Sequence, residues 1–164
     1  MASPHIRIVA LCVFRQGHCV LVSDGVADAP GGAFCRPLGG AVEYGERAAD
    51  AVVREIEEEL GVAVCEVRLL GVLENLFIYN GQRGHEIVFV YDARFVDESL
   101  YARATLPFHE AGWATESARW LDLRTAGHDG VRLVPEGLAE LLTQESGAAP
   151  PTSVVATKQA KAGR

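Results

Sequence analysis

From Ile6 to Phe14 the chain runs almost without polar interruption and is rich in β-branched residues, which predicts a strand. Gln16-Gly17 signals a turn, and His18 to Ser23 reads as the returning strand. Asp24 to Ala33 is punctuated by Gly25, Pro30, Gly31 and Gly32 and reads as a loop. A short extended piece from Phe34 leads into Pro37-Leu38-Gly39-Gly40, also read as loop. The period then changes: Glu46 to Leu60 predicts a helix, with Gly61 as its C-terminal stop.

Val64 to Tyr79 predicts one long strand broken near Gly71. Asn80-Gly81 marks a tight turn, and Ile87 to Phe95 is the hairpin partner. Asp97 to Thr115 gives an ambiguous, loop-like signal. Ser117 to Leu123 predicts a further strand, and Pro135 a second helix to about Leu142. From Gly147 the Ala/Pro/Thr/Lys composition reads as a flexible tail, dividing the chain into a domain over 1–146 and a tail over 147–164. Hairpins interleaved with two helices predict an α/β fold, a sandwich around a mixed sheet.

On a wheel of about 100° per residue, Ala49, Val52, Val53 and Leu60 gather around Ile56 as the core-facing stripe of the first helix. Glu55, Glu58 and Glu59 fall together on one flank, Glu57 on the other, and Arg54 near the back. Carboxylates at i, i+3 and i+4 repel. Either solvent or a hard cation must offset that, and magnesium or manganese is the cation suited to oxygen ligands.

Composition narrows the choice. The net charge of −7 argues against a broad nucleic-acid surface but leaves room for a small anionic substrate held through a cation. Gly40 to Val62 alone holds seven acids and two bases. The four cysteines, Cys12, Cys19, Cys35 and Cys65, form no CxxC pair and read as small buried hydrophobes. No stretch suits a membrane span or a signal peptide, so a cytoplasmic location is the expectation. A homodimer stays open.

The constrained positions Gly40, Glu46, Arg54, Glu55, Ile56, Glu58, Glu59, Gly61 and Val62 stand at fixed spacings over 23 residues. This pattern resembles the signature of the Nudix hydrolases, and every fixed position is matched. The resemblance implies an α/β/α sandwich and cleavage of a pyrophosphate bond in a nucleoside diphosphate linked to another group. It further implies that Glu55, Glu58 and Glu59, with the carbonyl of Gly39, bind magnesium or manganese, while Glu46 and Arg54 orient the acids. The segment before the box departs from the family's commonest form, Leu-Pro-Gly-Gly: here Pro37 and Leu38 are exchanged.

Outside the box, Glu86 is a candidate base or ligand, because it shares a strand face with Val88 and Val90 and needs a partner. A salt bridge or an exposed strand end is the alternative. Glu110 and Glu116 are its rivals. Glu55 is the other candidate base, and Arg54 belongs with the catalytic group. Phe77 and Tyr79 are candidates to flank a base, against simple strand packing; a tyrosine near position 79 also resembles the mark of the diadenosine polyphosphate hydrolases. His85 reads as a hydrogen-bonded structural histidine, and Val64, Cys65 and Trp120 as core. Two other functions compete. One is a Nudix-fold sensor that binds nucleotide without cleaving it, disfavoured because no box acid is missing. The other is isoprenoid diphosphate isomerisation, which would enlist Cys35 near the paired glycines.

Overall fold

The computed structural model of the chain describes residues 4–26, 32–109 and 116–145. The expected 147–164 tail and Glu110 lie outside the described residues. The strands are β1 (Arg7–Val13), β2 (Arg15–Gln16), β3 (Cys19–Val26), β4 (Ala33–Arg36) and β5 (Leu38–Ala41), then, after the helix α1 (Ala48–Leu60), β6 (Val64–Tyr79) and β7 (Gln82–Phe95). A 3-10 turn over Glu98–Ala102 precedes β8 (Thr105–Phe108), β9 (Glu116–Asp122), β10 (Arg132–Leu133) and the helix α2 (Leu138–Glu145).

Four strands pair in the order β5-β1-β7-β6. The second sheet runs β10-β4-β3-β9-β8, with β2 paired to β3. β1 runs parallel to β7 and antiparallel to β5, so the first sheet is mixed, as the hairpins required. The backbone N–H of Leu21 donates to Phe14 O at 3.1 Å and ties the sheets together.

The unbroken apolar run of β1 has a physical reason: both of its faces are buried. Ala10, Cys12 and Phe14 pack with Ala51, Val52 and Ile56 of α1. Val9, Leu11 and Val13 pack with Leu138 and Leu142 of α2. The layers are therefore α1, sheets, α2, the expected α/β/α sandwich.

Several local expectations need correction. Gly39 and Gly40 are not loop; they lie in β5, opposite Leu11 and Ala10 of β1. Glycine pairs read as loop from composition, but inside a strand they mark a close approach. β3 continues to Val26, into the segment read as loop. The ambiguous 97–115 region holds the 3-10 turn and β8.

The first helix starts at Ala48 instead of Glu46, because Arg47 is extended at φ −82°, ψ 145°. Its buried face is Ala51, Val52, Ile56 and Glu59, whereas Val53 is 37% exposed. The wheel was right in period but rotated: the helix leans on the sheet with its acidic flank. The second helix starts at Leu138, three residues after Pro135, because Gly137 takes φ +87°, outside helical geometry. Cys65 is exposed, not core: it sits on the outer strand opposite Arg94, at the edge of a bulge before Arg68. Cys19 is only half-buried. The long strand β6 does break register near Gly71, and Asn80 (φ 48°) and Gly81 (φ 75°) form the expected hairpin turn.

Candidate active site

α1 ends where Gly61 enters the left-handed region at φ 67° and its N–H caps Glu57 O. That fixes the last turn, and with it Glu58 and Glu59. Glu59 is 7% exposed, and its Oε2 accepts the N–H of Gly39 at 3.0 Å. Glu55 lies over Gly40: a Cβ there would come 2.5 Å from the Glu55 carboxyl carbon. Gly39, at φ +134°, could carry no side chain without meeting the Ala10 carbonyl oxygen of β1. The two glycines thus have separate reasons. Gly39 lets β5 approach β1, and Gly40 lets the acids of α1 lie against β5.

Arg54 gathers the rest. Its Nε and Nη2 donate to the two oxygens of Glu46 at 2.8 and 3.0 Å, a bidentate pair. Nη1 reaches Glu55 Oε1 at 3.0 Å and Glu58 Oε2 at 3.2 Å, and Nη2 also donates to Ala41 O at 3.0 Å. The Arg54 hydrogen bond, followed by one from the Glu43 amide, holds the Glu46 carboxyl down at about 2. The same contact, with Glu55 adding to it, raises the Arg54 guanidinium further above its usual value.

One guanidinium therefore serves three carboxylates, with Glu59 one turn from Glu55 on the same helix. The excess is negative and its donors are hard oxygens, the chemistry that suits magnesium or manganese. Among the described residues no three His, Cys, Asp or Glu side chains converge as a ready-made cage. This is compatible with magnesium, which is commonly held by one or two carboxylates together with substrate phosphates. Glu57 and Glu58 are both exposed, but Glu58 is held by Arg54 whereas Glu57 makes no ion pair with another described residue.

Glu86 is placed elsewhere. It is 8% exposed, ion-paired to Arg7 Nη1 at 3.4 Å, and its Oε2 accepts from Asn75 Nδ2 at 3.3 Å. Its face-mates Val88 and Val90 pack in the α2-side core, and α1 packs on the other face. The structure does not bring Glu86 together with the box acids. Arg7 and Asn75 were missed in the sequence, although a signal existed for Asn75. Counting back from the two-residue Asn80-Gly81 turn sets Asn75 opposite Glu86, as observed.

Phe77 covers Gly84, which leaves no room for a side chain at that glycine. Tyr79 meets Phe34 edge-on at 6.2 Å. His85 Nε2 lies 2.9 Å from Glu74 Oε1, in keeping with a hydrogen-bonded structural role. Trp120 packs against the α1-side core, donates Nε1–H to Arg103 O at 2.9 Å and stacks on Tyr101. Glu116 opens β9 at the surface. Cys35 is buried, and burial pushes its thiol up to about 11, which argues against the reactive thiolate an isomerase reading would need.

Comparison with known proteins identifies the family and the fold. The model of the NUDIX domain matches residues 4–142. A putative mutator protein, MutT4, of Mycobacterium tuberculosis (strain CDC 1551 / Oshkosh) is 32% identical over 114 residues, which are 68% of this chain and 45% of that protein. The chain thus spans less than half the length of this relative. Among solved structures, the E. coli ORF135 protein aligns at 19% identity with a TM-score of 0.57, covering 90% of this chain and 95% of that one. A NUDIX hydrolase from Nitrosomonas europaea aligns at 16% identity with a TM-score of 0.57, covering 87% and 90%. At these identities the two structures speak for the fold alone.

Proposed function

The chain belongs to the Nudix family, and from that premise we propose a magnesium-dependent hydrolase that cleaves a pyrophosphate bond in a nucleoside diphosphate linked to another group. The observation that carries this reading is the gathering of Glu46, Glu55 and Glu58 around the single Arg54, with Glu59 folded against Gly39. A purely structural helix would gain nothing from that concentration of like charge.

In this reading Glu55, Glu58, Glu59 and the Gly39 carbonyl hold magnesium or manganese. A metal held there would supply neutralisation of phosphate charge and a more nucleophilic water. Glu55 is the base. It is poised over Gly40, where the absent side chain leaves the carboxylate room. Arg54 and Glu46 are positioning residues. Arg54 cannot lose its proton, so it holds Glu55 and Glu58 in place through its hydrogen bonds while Glu46 fixes the guanidinium plane. Glu86, neutralised one-to-one by Arg7, shapes the opposite end of β7. Tyr79, 43% exposed beside Phe34, offers an aromatic surface for a base, while Phe77 serves the hairpin.

The test is a screen of nucleoside diphosphate conjugates and dinucleotide polyphosphates with magnesium, following the products released. Turnover of at least one such compound is expected. Binding without turnover in both magnesium and manganese would convert the reading into a nucleotide sensor.

A further inference from the structure

α1 covers only one end of its face of the first sheet. Beyond it, toward the β6–β7 hairpin, that face stays open. Ile6, Ile8, Val72, Leu76 and Ile78 are 54, 39, 49, 68 and 72% exposed. Strand register shows that they form one platform. Ile8 lies beside Ile87, Val72 beside Phe89, Leu76 beside His85, and Ile78 beside Arg83. A contiguous apolar surface of this kind calls for a partner, unlike single exposed aliphatic residues.

The charges on the platform say what that partner is. Glu74 stands one rung inward from Leu76, and Arg83 one rung outward from His85. Glu74 is 63% exposed; its Oε1 lies 2.9 Å from His85 Nε2, which leaves Oε2 for a second partner. Arg83 is exposed and makes no ion pair with another described residue. One acid and one base thus flank the Leu76–His85 rung, with Leu76 and Ile78 as its most exposed apolar side chains. A two-fold axis lying across the strands at that rung brings Arg83 of each copy toward Glu74 of the other, twice. Self-complementarity of this form is what an isologous interface requires.

We propose that the chain forms a two-fold dimer by packing this open end of the first sheet against the same surface of a second copy, with Leu76 at the centre and two Arg83–Glu74 pairs across the interface. Leu76, Ile78 and Arg83 share a depression that holds no box acid, whereas Ile6 and Ile8 border Glu46 at the other edge of the platform.

Sedimentation equilibrium tests it directly. The wild-type chain is expected to be dimeric at about 100 µM. Leu76→Glu and Ile78→Glu, both at exposed positions, should give monomers with unchanged circular dichroism and Tm. Arg83→Glu should weaken association about tenfold, because it sets like charges opposite each other. Glu74→Arg should do the same, and the double exchange Glu74→Arg with Arg83→Glu should restore dimerisation. A monomeric wild-type chain overturns the proposal. So does a dimer that survives both glutamate variants, or a double exchange that fails to recover association while Tm holds.

Discussion

Two acidic regions of the molecule meet the same problem, burial of carboxylate, with opposite solutions. At the hairpin end of β7, Glu86 faces one cation, Arg7, with the Asn75 amide completing the shell. On the flank of α1, one guanidinium is divided among Glu46, Glu55 and Glu58. The first arrangement closes its charge and stabilises the fold. The second keeps an excess of negative oxygen beside two glycines, at a place where backbone and helix come as near as they can. Burial alone does not separate the two, since Glu59 is 7% and Glu86 8% exposed. The sharing of Arg54 among Glu46, Glu55 and Glu58 does.

If that contrast is right, removal of divalent metal has the largest effect. Excess chelator should abolish turnover, and added magnesium or manganese should restore it, while Tm moves little. Full activity in chelator would remove the reason for the open charge on α1.

The carboxamide series comes next. Glu58→Gln and Glu59→Gln should each lower kcat at least about tenfold with the fold intact, because charge is lost without volume. Glu86→Gln should instead leave kcat within about threefold and lower stability, since it strips Arg7 of its partner at a nearly buried site. Glu57→Gln, exposed on the other flank, should be silent in both assays. A loss at Glu86 equal to that at Glu59 would erase the distinction and return Glu86 to the chemistry.

The glycines sharpen the same comparison within a single strand. Gly39→Ala forces a Cβ onto the Ala10 carbonyl at φ +134° and should cost stability by about 2 kcal/mol or more. Gly40→Ala meets only the end of the Glu55 side chain, which can swing away. It should melt near the wild type yet lose kcat, because the carboxylate is displaced. Chemical denaturation and steady-state kinetics on the two variants separate backbone strain from carboxylate placement.

Much of this was legible in the sequence because helical period and hairpin turns are local. α1, its Gly61 stop and the Asn80-Gly81 hairpin follow from residues within a few positions of each other. The rotation of α1 was not legible. Val53 is more hydrophobic than Ala51, so a wheel favours it, but the glycines of β5 draw the acidic flank inward and bury Ala51 instead. The strand at Gly39-Gly40 was hidden for the same reason: its partner β1 lies some thirty residues away, and nothing in four residues of Leu-Gly-Gly-Ala says strand. Alternation correctly placed Glu86 among apolar neighbours and demanded a partner for it. It could not say which face α1 would cover, and that decides whether the partner is a cation of the site or Arg7.

The smallest expected effect lies in the pH dependence of the Glu46–Arg54 pair. The Glu46 carboxyl is held at about 2, below the ordinary 4.5, first by Arg54 and then by the Glu43 amide. A carboxyl whose folded value is depressed contributes stability that is fully present above its unfolded value and is lost as pH falls through the folded one. The window is therefore from about 4.5 down to about 2. Solvent reaches this carboxyl, so the contribution is screened and modest. Urea midpoints of the wild-type chain and Glu46→Gln should differ at neutral pH and converge as pH approaches about 2, where the wild-type side chain becomes neutral as well. A gap that stays constant across the window would mean that Glu46 acts through hydrogen-bond geometry alone. Arg54 would then owe its orientation to Glu55, Glu58 and the Ala41 carbonyl, and the charge imbalance on α1 would be smaller by one acid than the contrast with Glu86 assumes.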